Sequence, residues 1–215
     1  MSHSRHVVVV EDEALLRDLI AQSLERSGFH VTTAANAADA KRVCLAADPD
    51  AVVLDVELGP GPNGFDFAHS LAKSNPDIGI VFLTNLPDSR FGGYDPKALP
   101  KGVAYLRKSA LVDSNELNDA LDAVLRDAST KKLRHDLHID RPLSNMSARQ
   151  ISVLSLIAKG YSNAQIAEER GTTVRAVEGI VSRVFQALNI DPQAEGNARV
   201  EAARTYFSNT GHVLS

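Results

Sequence analysis

The sequence predicts an α/β chain: a parallel five-stranded sheet wrapped by helices, followed by an all-α domain of four helices. Three observations carry this. Apolar runs that stop abruptly on a polar side chain recur through the first half, helical periodicity lies between them, and beyond residue 146 only helical patterns remain. Strand and helix signals alternate in this way when strands are parallel, because each crossover must be long enough to hold a helix.

The first strand is the run ending at Val10, apolar from Val7 onward and followed by Glu11, Asp12 and Glu13. A run without alternation suits a strand covered on both faces. Leu15, Leu16, Leu19, Ile20 and Leu24 then recur at helical spacing and stop at Ser27 and Gly28, a glycine stop signal. Residues 29–33 read as the second strand and residues 37–46 as an alanine-rich helix. The third strand, residues 51–54, ends on Asp55 before a Gly/Pro cluster that closes at Gly64. A helix over 65–74 follows, then a fourth strand over 78–83 ending on Thr84. The fifth, residues 103–106, ends two residues before Lys108, and a helix over 115–126 sets Leu117, Leu121, Val124 and Leu125 on one face. Between Thr84 and Val103 stand Pro87, Gly92, Gly93, Pro96 and Pro100, which predict a loop or one short turn in place of a helix.

Residues 127–145 are polar, lack periodicity and read as a linker; His135 and His138, without partnering Cys or His, read there as solvated. Ser147 with Gln150, and Ser162 with Gln165, each match the capping box, in which side chains satisfy the free amides of a helix start. Ile151, Leu154 and Ile157 follow the first, Ile166 and Ala167 the second, and Gly160 and Gly171 close them. A third helix opens at Thr173 and carries Val177, Val181, Val184 and Leu188. A fourth, over 197–207, carries Val200, Ala203 and Phe207. Two short helices across a glycine turn are a helix-turn-helix signature. The division expected is therefore 1–126, a linker over 127–145, and 146–215.

Composition excludes several classes. The chain has 215 residues, 44% hydrophobic and 23% charged, and no apolar run approaches the roughly 18 residues of a membrane span. The opening valines run straight into acids, unlike a signal peptide. A single cysteine, Cys44, cannot form an internal disulfide and fits a reducing cytoplasm. Charge is uneven. Residues 1–126 carry 12 Lys/Arg against 18 Asp/Glu, whereas residues 146–215 carry 7 against 6, less acidic but not the basic block of many nucleic-acid binders.

Chemistry concentrates on the strand ends. Suppose the sheet takes the flavodoxin-like order 2-1-3-4-5: the first and third strands then adjoin, and Glu11, Asp12 and Asp55 would meet at the switch point, where open α/β sheets bind ligands. Three carboxylates repel unless a cation lies between them, and hard oxygens in a partly hydrated site suit Mg²⁺. Lys108 adds a mobile positive charge and Thr84 a hydroxyl. Such a set can neutralise a phosphoryl group while a carboxylate attacks it.

On these residues, positions 1–126 resemble a response-regulator receiver domain and positions 146–208 a LuxR-type helix-turn-helix, the pairing of NarL/FixJ-type two-component regulators. The resemblance implies that Asp55 is the phosphoacceptor, that Glu11 and Asp12 form the acidic pair, and that the Glu57 backbone carbonyl completes the Mg²⁺ shell. Thr84 and Tyr105 would be the switch pair, though a strand tyrosine reads equally as packing, and Lys108 would contact phosphate. It further implies a sensor histidine kinase as phosphate source, double-stranded promoter DNA as target, a homodimer with Val200, Ala203 and Phe207 at its contact, and no enzymatic activity beyond Mg²⁺-dependent phosphorylation and dephosphorylation of Asp55.

The chain also departs from that pattern. The loop from Asp55 to Gly64 is one residue longer than usual, Asn85 stands where Ala or Gly is typical, and the fourth receiver helix is replaced by the breaker-rich segment. Within the helix-turn-helix, about 163–182, the expected DNA contacts are Thr173, Arg175, Glu178 and Arg183. Glu178, Gly179 and Ile180 stand where lysine, asparagine and histidine are common. Two other readings use the same residues: a DNA-binding regulator that works without phosphorylation, and a partner-binding protein that does not contact DNA.

Overall fold

The computed structural model describes residues 4–111, 113, 115–137, 143–192 and 196–210. His138, one of the two linker histidines, lies outside them. Five parallel strands form one sheet in the order β2-β1-β3-β4-β5: β1 (His6–Val10), β2 (His30–Ala34), β3 (Ala51–Leu54), β4 (Gly79–Thr84) and β5 (Ala104–Arg107). The central strands are solvent-excluded along nearly their whole length, as their unbroken apolar runs require.

Alternation within each strand sorts the core into two layers. Val7, Val9, Val53, Val81, Leu83, Ala104 and Leu106 point to the face covered by α1 (Ala14–Arg26) and α4 (Asn115–Leu125), where Ile20, Leu24, Leu117 and Leu121 pack. The opposite face packs α2 (Ala37–Ala47) and α3 (Gly64–Ser74). There Phe65 meets Phe82 edge-on at 5.1 Å and stacks on Tyr105 at 6.4 Å.

The breaker-rich segment forms two short 3₁₀ turns, Ser89–Gly92 and Pro96–Ala98, rather than a helix or a single turn. Asp88 caps the first by accepting from the Arg90 amide at 2.9 Å, and Gly93, at φ +87°, ends it in the left-handed region that favours glycine. Residues 127–137 are also more ordered than a polar linker suggests. Turns at Lys131–Leu133 and His135–Leu137 lie along β5, and Arg134 bridges to Tyr105. His135 is buried rather than solvated. Its Nδ1 accepts from the Arg107 amide at 3.2 Å, which leaves Nε2 to face Glu116 Oε1 at 2.9 Å. Neither contact is visible in composition, because both partners lie many residues away.

The remaining helices are α5 (Ala148–Ala158), α6 (Asn163–Glu169), α7 (Val174–Ala187) and α8 (Ala198–Thr210). Both expected capping boxes are formed, Ser147 with Gln150 and Ser162 with Gln165. Chain contacts divide the molecule into two compact units, residues 1–85 with 98–136, and residues 86–97 with 137–215. The segment after β4 thus belongs to the helical unit.

Candidate functional site

The acids at the strand ends are positioned by the sheet ladder. The Asp55 amide donates to the Val10 carbonyl at 2.9 Å, and the Glu11 amide to the Ala34 carbonyl at 3.1 Å, so both residues continue strand pairing by one step beyond β3 and β1. Both side chains are buried, at 5% and 2% exposure, whereas Asp12 is exposed. Asp55 Oδ1 accepts from the amides of Val56 at 2.6 Å and Glu57 at 3.3 Å. The turn is tight enough that a Cβ at Gly64 would fall on the Asp55 carbonyl oxygen, which explains the glycine there.

Lys108, immediately after β5, closes the site. Its Nζ lies 2.7 Å from Asp55 Oδ2 and 2.6 Å from Glu11 Oε2, with the lysine side chain only 12% exposed. One oxygen each from Glu11, Asp12 and Asp55 lie within 4.8 Å of one another. Burial raises the Glu11 carboxyl above its ordinary range and the Asp55 charge adds to this, while Lys108 pulls the other way. Burial disfavours the Lys108 ammonium, but the two carboxylates outweigh it and the net shift is upward.

The site thus concentrates negative charge around one cation, with two buried oxygen donors and one facing water. A hard dication that retains several waters fits this donor set. Glu57 is exposed, two residues after Asp55, and its amide, like that of Val56, reaches Asp55 Oδ1. Thr84, fully buried, ends β4 on the same sheet face as Tyr105, since Phe82 pairs with Tyr105 and Thr84 with Arg107. Tyr105 is fully buried between Phe65 and Phe82, so packing accounts for its position. Arg17 escaped the sequence reading: its Nη1 donates to the Glu11 carbonyl at 2.8 Å and the Asp12 carbonyl at 3.3 Å. Its place in the first turn of α1, after three acids, was the available signal.

In the helical unit, α7 is amphipathic. Val177, Ile180, Val181 and Val184 turn inward, and Arg175, Glu178, Gly179, Ser182, Arg183 and Gln186 form the exposed face. Ile180, at 1% exposure, belongs to the core and not to the outer face. Thr173 is exposed but its Oγ1 caps the helix by accepting from the Ala176 amide at 3.2 Å. On α8, Val200 is 47% exposed, while Ala203 and Phe207 are half-buried, with Phe207 edge-on to Tyr206 at 5.7 Å.

Comparison with known proteins agrees with this anatomy. Residues 7–92 match the response regulator receiver domain, and residues 144–196 match the bacterial regulatory proteins of the luxR family. The oxygen regulatory protein NreC of Staphylococcus epidermidis is 26% identical over 208 residues, covering 88% of this chain and 93% of its own, and that of Staphylococcus carnosus is 27% identical over 206 residues with the same coverage. In fold, the chain is similar to RcsB from Salmonella enterica serovar Typhimurium bound to promoter rprA in the presence of phosphomimetic BeF₃⁻. The TM-score is 0.65 at 15% identity, over 95% of this chain and 98% of that one. A structure of two RcsB dimers bound to two parallel DNAs gives 0.63 at 15% identity, over 95% and 99%.

Proposed function

We propose that this chain, with residues 7–92 matching the response regulator receiver domain and residues 144–196 the luxR family, works as a response regulator in which Asp55 accepts a phosphoryl group from a sensor histidine kinase and thereby controls promoter binding by α7. The observation that carries this reading is the Lys108 bridge between Asp55 and Glu11, in a cluster that also contains Asp12. An ordinary strand-end acid would be solvated; this one is buried, oriented and paired.

Oδ1 of Asp55 is occupied by the Val56 and Glu57 amides, so Oδ2 is the oxygen presented for attack. It bonds to phosphorus as the phosphorus–nitrogen bond of the donor histidine breaks and its electrons return to the imidazole. Lys108, already on Oδ2, offsets the charge on the phosphoryl oxygens, and the Thr84 hydroxyl, at the adjoining strand end, is the donor that follows them. Mg²⁺ would be held by Glu11, Asp12, Asp55 and the Glu57 carbonyl, and when bound it supplies further charge neutralisation. Tyr105 turns with Thr84 as the second switch residue.

By this reading residues 1–126 receive the phosphate, 127–145 link, and 146–215 read DNA. Thr173, Arg175, Glu178 and Arg183 would meet the major groove and its phosphates, and Val200, Ala203 and Phe207 a second copy. A histidine-kinase phosphate donor and a promoter target would both be met in the cytoplasm. In the decisive experiment, Asp55→Asn abolishes acid-labile phosphate incorporation from a small phosphodonor with Mg²⁺. Labelling of the variant at the wild-type level overturns the assignment.

A further inference from the structure

Residues 86–97 leave the acid site's own strand and are built into the helical unit. The chain passes from Thr84 at the end of β4 through Asn85 and then buries Leu86, Asp88, Ser89, Arg90 and Phe91. Asp88 and Arg90 form a two-pronged ion pair, Nε to Oδ1 at 2.9 Å and Nη2 to Oδ2 at 2.7 Å, with side-chain exposures of 0% and 4%. The pair is too local to define a fold by itself, since its members are two residues apart. What it does is orient the guanidinium, whose Nη1 donates to the carbonyls of Leu143 at 2.8 Å and Met146 at 2.6 Å, just before α5. Phe91 adds a ring contact to Tyr206 of α8 at 6.0 Å. Arg90 thus fastens this segment to the start of the helix-turn-helix region.

One group opposes the fastening. Ser89 Oγ is buried without a hydrogen-bond partner. A buried unsatisfied hydroxyl costs free energy that water would return on release, so the fastened arrangement is closer in energy to a loosened one than its ion pair alone suggests.

We propose that residues 86–97 are a built-in strap through which occupancy of Asp55 changes the packing of the helical unit, by loosening Arg90 from the Leu143 and Met146 carbonyls. The strap rests on the phosphoacceptor reading, and uses Thr84–Asn85 as a direct covalent lead. No separate docking helix is needed, which accounts for the breaker-rich sequence standing where the receiver pattern expects one.

Hydrogen–deuterium exchange on the full chain, with and without beryllofluoride and Mg²⁺, tests it. In the wild type the ligand slows amides over 51–64 and speeds those over 143–158 about fivefold or more, the lower end of ordinary allosteric couplings. Arg90→Met shows fast exchange over 143–158 already without ligand. Ser89→Ala, which removes the unsatisfied hydroxyl and keeps the fold, lowers the ligand response. A wild type that responds over 51–64 but not over 143–158 overturns the strap and leaves the phosphoacceptor reading standing. No response over 51–64 overturns both.

Discussion

At the scale of single residues, the acid site is a set of charges that only each other make tolerable. Lys108 faces two buried carboxylates, so Lys108→Met leaves them uncompensated, and breaking a buried pair in this way costs about 3–5 kcal/mol. Chemical denaturation should show that loss, and added Mg²⁺ should recover part of it by replacing the missing positive charge. Asp50 offers a test by pH. Burial acts to raise its carboxyl, but the His6 amide at 2.8 Å and Arg5 at 2.6 Å outweigh it and hold the group below its ordinary 3.8. A depressed carboxylate contributes stability that is present above the unfolded value and lost as pH falls through the folded one. The stability difference between wild type and Asp50→Asn, on the order of 1 kcal/mol for a partly exposed group, should therefore hold at neutral pH and shrink below about pH 4.

The residues of this site were legible for an identifiable reason. Glu11, Asp55, Thr84 and Lys108 each follow an apolar run, so their positions are fixed by strand length alone, and a parallel sheet collects such ends on one edge. Arg17 was legible only as a basic residue following three acids; that it turns inward to backbone carbonyls is something composition does not display. Nor were His135 and Arg90 legible, since their partners, Glu116 and the Leu143 and Met146 carbonyls, are set by how distant segments pack.

At the scale of elements, helix starts were predicted well because the capping box is a local motif whose satisfaction needs only four residues. Ser162→Ala should cost about 1 kcal/mol in thermal or chemical unfolding, as loss of a serine cap does elsewhere. Helix α7 holds a sharper case. Gly179 lies in its exposed face at helical dihedrals with nothing within 4 Å of where a Cβ would be, so Gly179→Ala should stabilise the helix by about 1 kcal/mol. If this face meets the DNA backbone closely, the same methyl should weaken promoter binding in a filter or anisotropy assay, opposing its effect on stability. The element that resisted prediction is the segment after β4. Its prolines and glycines excluded a helix correctly, but they could not indicate that two 3₁₀ turns would join the helical unit.

At the scale of the whole molecule, charge and cysteine content set the practical behaviour. Residues 1–126 carry a net −6 and residues 146–215 a net +1, so if α7 meets DNA as proposed, its affinity must rest on a few cations rather than on a basic field. Glu178→Lys should strengthen binding across sequences and steepen the dependence of log affinity on log salt by about 1, measured by titration at several ionic strengths. Cys44 has the opposite character, being silent. It lies on the buried face of α2, and burial pushes its thiol up to about 11, so almost no thiolate exists at neutral pH to attack an alkylating reagent. The native chain is therefore a ready blank for spectroscopy: a cysteine introduced at exposed Gln186 of α7, outside the proposed groove contacts, would accept a maleimide dye as the one fast-reacting position, and a change in its emission on adding DNA would test whether α7 engages it, without a cysteine-free background having to be made first.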